Sequence, residues 1–207
     1  MSLVQKLGIN PDYKEFMDEH LNAQIVLLQN NIKTEFFPSP DKLFKFLISN
    51  PKVIIVGQDP YSTGNATGTG FAVDKNVDIP PSLSVIIQTL EKLNGETIDN
   101  FDRTLGYWEE QGVMIMNSAL SVQKNSPSTH AFLWKAFITK LITYIEEKYS
   151  PIWVFLGVHA NTFSDLVAEK YVDNHPMVNV YSSSTHTFKG EFFKEIQNKL
   201  NISWYEK

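Results

Sequence analysis

Apolar positions along this chain follow two alternating rhythms. Tyr13, Phe16, Met17, Leu21, Ile25 and Leu28 recur at helical spacing, which predicts an amphipathic first helix. Ser39-Pro40-Asp41 carries start signals for a short helix running through Ile48. Val53-Ile54-Ile55-Val56 is instead a brief, wholly apolar, β-branched run closed by Gly57. That is the pattern of a strand buried on both faces. Similar runs occur at Val113-Met114-Ile115-Met116, Ile152-Trp153-Val154-Phe155-Leu156 and Val178-Asn179-Val180-Tyr181. Between them, Leu83, Ile86, Ile87, Leu90 and Leu93 form one helical stripe, with Ser82 in place to act as its N-cap. Trp134, Phe137, Ile138, Leu141, Ile142 and Ile145 form a second stripe, and Phe192, Phe193, Ile196 and Leu200 mark a last helix. Strands alternating with helices predict a three-layer α/β/α fold around a central, mostly parallel four-stranded sheet. No repeat, low-complexity tract or long linker interrupts the pattern, so residues 1–207 read as a single domain.

This architecture already says where chemistry should sit. Open α/β sheets bind ligands outside the carboxyl ends of their strands. The residues after the four expected strands are Gly57-Gln58-Asp59, Asn117-Ser118, Gly157-Val158-His159 and Ser182-Ser183-Ser184, all but Val158 small, polar or ionisable. A site assembled from those segments is therefore expected.

Composition narrows the classes. The chain of 207 residues is 43% hydrophobic and 20% charged, a globular balance. It has no apolar run long enough to span a membrane, and Met1 to Asn10 does not read as a signal peptide. With no Cys, disulfides and thiolate metal sites are excluded, and cytoplasm is the default location. No pair of His sits at helical ligand spacing, so no metal is expected. A net charge of −5 weighs against a nucleic-acid partner and predicts weak, salt-sensitive non-specific binding. It does not decide the matter, because backbone N–H groups and helix N-termini also hold phosphates.

The most informative segment is Gly57-Gln58-Asp59-Pro60-Tyr61, leading through Gly64, Gly68 and Gly70 to Phe71. An acid just past a buried strand, followed by Pro60, has restricted backbone freedom, and glycines let backbone approach a ligand closely. Read alone, Asp59 is equally a turn cap. Asn117, directly after a second strand, offers a donor and an acceptor together, and is alternatively a turn or helix cap. Pro80-Pro81-Ser82 opens an apolar helix, and such an N-terminus also suits a phosphate. Of the five His, His20 is expected to face solvent, His130 and His159 to be satisfied near the core, and His175 to lie in a loop before Pro176. His186 falls in the polar stretch Ser182 to Thr187, within reach of a site at the strand ends.

Taken together, these motifs resemble the uracil-DNA glycosylases of family 1. The water-activating loop of that family reads Gly-Gln-Asp-Pro-Tyr-His, followed by a Gly-rich turn and Phe and then by Pro-Pro-Ser-Leu. Gly57-Gln58-Asp59-Pro60-Tyr61, Gly70-Phe71 and Pro80-Pro81-Ser82-Leu83 stand here in that order. Gln111 to Asn117 is similar to the family's Gln-Gly-Val-Leu-Leu-Leu-Asn strand, Thr129-His130 with Trp134 to its Ser-His…Trp segment, and Gly157 with His159-Ala160 to its Gly-x-His-Ala. Ile202-Ser203-Trp204 resembles its terminal Ile-Asp-Trp.

The resemblance implies a cofactor-free DNA-repair hydrolase, expected to be a monomer, that cuts the glycosidic bond of a flipped uracil. Its partners would be uracil-containing DNA and a DNA-mimicking protein inhibitor. Asp59 would orient the attacking water and stabilise the cationic sugar. Gln58 would contact the base through its backbone, Tyr61 would exclude thymine's methyl, Phe71 would stack on the ring and Asn117 would read its polar edge. Pro80, Pro81 and Ser82, with Ser183 and Ser184, would hold DNA phosphates. Two departures stand out: the His after Tyr is Ser62 here, and the family's catalytic His-Pro-Ser-Pro-Leu loop is matched with Ser182 to Phe188. Strict register puts Ser182 in the catalytic place. A shift of four residues gives that role to His186 and makes Phe188 the wedge into the base stack. These departures and the acidic charge motivate an alternative, a glycosylase fold kept as a weakly catalytic DNA-binding or protein-docking module.

Overall fold

The computed structural model describes residues 7–181 and 187–206; the expectations placed on Ser182, Ser183, Ser184 and His186 lie outside the described residues. Helix α1 (Lys14–Asn31) and the short strand β1 (Phe36–Phe37) come first. They are followed by β2 (Val53–Gly57), α2 (Pro81–Asn94), α3 (Gly106–Glu110), β3 (Val113–Asn117) and β4 (Val122–Gln123). The chain continues with α4 (Ala131–Tyr149), β5 (Ile152–Leu156), α5 (Val158–Asn161), β6 (Lys170–Asp173), α6 (Val178–Tyr181) and α7 (Glu191–Leu200).

The central sheet has the order β3-β2-β5-β6, and every neighbouring pair is parallel. β2, β3 and β5 are buried throughout, as their unbroken apolar runs require. Their side chains alternate between two cores. Ile54, Val56, Met114, Met116, Trp153 and Phe155 point to one face, where α1 and α4 supply Phe16, Met17, Leu21, Trp134, Phe137 and Leu141. Val53, Ile55, Val113, Ile115 and Val154 point to the other, against Leu83, Ile86 and Leu90 of α2, Trp108 of α3 and Phe193 and Ile196 of α7. The period of two along each strand thus builds the three layers. Among the described residues, no helix is long and apolar enough to cross a membrane.

The structure differs from the sequence expectations at three elements. Val178–Tyr181 is not the fourth strand but helix α6, and the fourth strand is β6, Lys170–Asp173. As an edge strand β6 alternates exposed and half-buried positions and carries Lys170 and Asp173, so it lacks the wholly apolar signature that marks the inner three. The helix expected from Ser39 to Ile48 is a 3₁₀ turn at Pro40–Lys42. Beyond it Lys45 and Leu47 N–H groups bond the carbonyls three residues back, while Leu43, Phe44, Phe46 and Leu47 fill the core. Finally, Ser82 does not cap α2. Pro80 occupies the N-cap and Pro81 begins the helix, where a missing N–H costs nothing, so the Ser82 hydroxyl is left for another partner.

Candidate active site

Strand order fixes where a ligand fits. β2 lies between β3 and β5, and the chain reaches β3 through α2 and α3 on one face but β5 through α4 on the other. Connections leaving in opposite directions open a crevice at the carboxyl ends of the strands. A cavity of about 650 Å³ lies there, lined by Gln58, Asp59, Tyr61, Phe71, Pro80, Pro81, Ser82, Asn117 and His175 among others.

The register of the sheet brings its two amide and acid segments together. Gly57 pairs with Asn117 across β2 and β3, so Asp59 leaves one strand beside the point where Asn117 ends the next. Position 57 is tight against the Asn117 and Phe71 side chains. A Cβ there would lie 2.7 Å from Asn117 Oδ1 and 3.1 Å from the Phe71 ring. Phe71 adopts φ +59°, a conformation few side chains tolerate, and the Gly70 N–H donates to the Ile115 carbonyl at 3.0 Å. This turn lays the Phe71 ring over the end of β2.

Tyr61 is fixed through its hydroxyl. It donates to the Phe71 carbonyl at 3.0 Å and shares a second 3.0 Å hydrogen bond with Ser82 Oγ. Burial pushes its phenol up to about 12, against the opposing pull of Ser82, so it stays protonated and the bond to Phe71 persists. The Asp59 carboxyl is also raised above its ordinary value by burial. A hydrogen bond from the Ser128 N–H, the side chain of Gln58 and the charge of His159 act in the opposite direction. A carboxylate held nearer neutrality is a better proton acceptor at working pH.

The correction to the fourth strand changes the rest of the site. The segment emerging from β6 is Asn174-His175-Pro176, not Ser182 to Ser184. His175 lines the cavity, with its ring centroid 5.7 Å from that of Phe71. Gly157, at φ +90°, makes room for it, because a Cβ there would stand 2.9 Å from His175 Cβ. His175 Nδ1 accepts the Met177 N–H at 3.3 Å, which assigns the ring proton to Nε2. Burial pulls its pKa down to about 4. The ring is therefore a neutral Nε2–H donor at neutral pH. Sequence reasoning missed it, because the strand before it carries only Val172 as a β-branched residue and gave no strand signal.

Phe188 is not available as a wedge. It is 3% exposed and packs against Phe192 and Phe193 in the core. Tyr181, which lines the same cavity, is 82% exposed. His130 is structural: its Nδ1 meets Ser121 Oγ at 2.9 Å, and Trp134 Nε1 donates to that same oxygen at 2.8 Å. His159 is exposed on α5. Among the described residues no group of three or more His, Cys, Asp or Glu is placed to hold a metal ion.

Comparison with known proteins places this geometry. A family profile described as the Uracil DNA glycosylase superfamily matches residues 44–201. A uracil-DNA glycosylase of Borrelia turicatae (strain 91E135) is 32% identical over 92% of this chain and 93% of its own length. One from Campylobacter jejuni (strain RM1221) is 30% identical over 97% of this chain and 96% of its own. The crystal structure of mimivirus uracil-DNA glycosylase superposes with a TM-score of 0.75 at 26% identity, over 84% of this chain and 71% of that one. A mimivirus UNG variant solved in complex with UGI shares the fold, with a TM-score of 0.82 at 24% identity over 97% of this chain and 88% of that one. By the extent of the family match and of these relatives, the chain belongs to the uracil-DNA glycosylase superfamily.

Proposed function

We propose that this chain is a family 1 type uracil-DNA glycosylase that hydrolyses the N-glycosidic bond of uracil flipped out of DNA, releasing uracil and leaving an abasic site. The observation that carries this reading is the convergence of Asp59, Phe71, Asn117 and His175 on one cavity at the strand ends.

The chemistry follows from what each group offers. Breaking the bond between C1′ and N1 leaves positive charge on the sugar and sends the electron pair into the uracil ring, where it concentrates on O2. The Asp59 carboxylate favours the developing cation and takes the proton of the water that attacks C1′. His175 supplies the donor at O2 through Nε2–H, the role the sequence had assigned to His186. Being already neutral, it stabilises the uracil anion by hydrogen bonding without first losing a proton. Phe71 stacks on the ring, the Asn117 amide pairs with its polar edge, and Tyr61 closes the C5 side against a methyl group. Ser82 with Pro80 and Pro81 holds a neighbouring phosphate. Tyr181, exposed at the cavity mouth, takes the wedge role in place of Phe188. A donor at His175 also removes the main motive for reading the chain as a weakly catalytic docking module. A DNA-mimicking protein would cover the same mouth.

Uracil release from a single-stranded oligonucleotide, followed by alkaline cleavage of the abasic product, tests the reading. The native chain is expected to be active, and Asp59→Asn is expected to lose on the order of 10²–10⁴-fold in turnover with its fold intact. A native chain that releases no uracil, or an Asp59→Asn variant with full turnover, contradicts it.

A further inference from the structure

The groups that aim Asp59 come from a turn far away in sequence. The Ser128 N–H donates to Asp59 Oδ2 at 2.6 Å, a bond to a charged acceptor and correspondingly strong. Ser128, which carries that N–H, adopts φ +66°, a left-handed conformation that is uncommon for residues other than glycine. Something must hold it there, and the side chain next to Asp59 does: Gln58 Nε2 donates to Ser128 Oγ at 2.8 Å.

The tether is itself anchored to the sheet. The Gln58 carbonyl accepts both the Ala119 N–H at 3.0 Å and Ser118 Oγ at 2.8 Å, just past the end of β3. The turn grips the loop a second time through the Asn125 N–H, which donates to the Ser62 carbonyl at 2.9 Å. The turn is closed internally by the Ser126 N–H on the Gln123 carbonyl and by Thr129 Oγ1, which accepts the Gln123 N–H and donates to the Ser126 carbonyl.

We propose that the Asn125–Ser128 turn, tethered by the Gln58 side chain, is the support that aims the Asp59 carboxylate, which makes Gln58 and Ser128 positioning residues for the reaction. This rests on the reading of Asp59 as the catalytic carboxylate. It assigns the Gln58 side chain a task separate from any contact its backbone makes with the base. The titratable groups sharing the surroundings of Asp59 are His159 on α5 and, lining the same cavity, Tyr61, Asp78 and His175.

Two substitutions at Ser128 isolate the backbone geometry. Both Ser128→Gly and Ser128→Val remove the hydroxyl, but glycine adopts φ +66° readily and a β-branched residue does not. Ser128→Val is expected to lose on the order of 10²-fold in kcat, as misplacement by about 1 Å does, with KM little changed. Ser128→Gly is expected to lose far less, and Gln58→Ala to fall between them. Because the Ser128 N–H favours the ionised carboxylate, its loss raises the Asp59 pKa. The acidic limb of kcat should therefore move to higher pH in Ser128→Val and Gln58→Ala, a shift that general loosening of the fold does not cause. Carbon NMR of the Asp59 carboxyl reads the same displacement directly, whether or not uracil is released. That separates failure of this inference from failure of the proposed function. Equal kcat and equal Asp59 titration in the Gly and Val variants would overturn it, as would an unchanged titration in Gln58→Ala should Ser128→Val not fold.

Discussion

At the scale of single residues, the site depends on contacts with no room to spare. Gly57→Ala inserts a Cβ 2.7 Å from Asn117 Oδ1 and 3.1 Å from Phe71, so the amide and the ring must both yield. The expected result is a protein destabilised by about 1–3 kcal/mol with a disproportionate fall in kcat/KM for uracil release, read by steady-state kinetics beside a denaturant titration. His175 makes a sharper prediction because its environment sets its charge. His175→Ala is expected to lose about 10²–10³-fold in kcat, the effect of removing one donor to a developing anion. The same burial leaves a mark on stability. The folded pKa of about 4 lies below the ordinary 6.5, so between those values the unfolded chain binds more protons. Stability from this group is complete above about pH 6.5 and declines as pH falls toward 4. Urea midpoints at pH 7 and pH 4.5 should differ less in His175→Gln than in the native chain.

At the scale of elements, legibility followed burial. β2, β3 and β5 were readable because strands buried on both faces need unbroken apolar runs, and Val53–Val56, Val113–Met116 and Ile152–Leu156 supply them. β6 was hidden because an edge strand needs only one apolar face, and Val178–Tyr181 carried a false signal in a four-residue helix. That one misplacement pointed downstream to His186 and Phe188; Phe188 lies in the core, His186 is outside the described residues, and His175 and Tyr181 line the cavity. Asp59, Asn117, Tyr61, Phe71 and the Pro80–Ser82 turn were legible from motif and strand-end position together. The Ser128 support was not, because its contact to Asp59 is a backbone N–H with no side-chain signature. A similar hidden junction joins the segment before β4 to α4. Ser121 Oγ serves both His130 Nδ1 and Trp134 Nε1, so Ser121→Ala leaves two buried polar groups without their partner. A loss of about 1–3 kcal/mol is expected, measurable as a lowered Tm, with catalysis at lower temperature largely retained.

At the scale of the whole molecule, charge and shape divide the work of holding DNA. The chain carries 18 Lys and Arg against 23 Asp and Glu, 18 − 23 = −5, and among the described residues the cavity lining contains Asp59 and Asp78 but no Lys or Arg. In the proposed function, phosphates at the cavity would therefore be held by neutral groups such as Ser82. Since the salt dependence of binding scales with phosphates neutralised by cations, affinity for single-stranded DNA should be weak. Its log–log slope with salt should be no steeper than about −2, measured by fluorescence anisotropy across a salt series. The two apolar cores on either face of the sheet leave its carboxyl edge as the place where acid, amide, ring and imidazole meet, and the proposed chemistry depends on that meeting. A crystal structure of the chain with free uracil tests it most directly. Uracil should stack on Phe71, pair its polar edge with the Asn117 amide and present O2 to His175 Nε2, with Asp59 on the side of the departed sugar. Uracil bound elsewhere, or seated in the cavity without touching Asn117 and His175, would contradict the account.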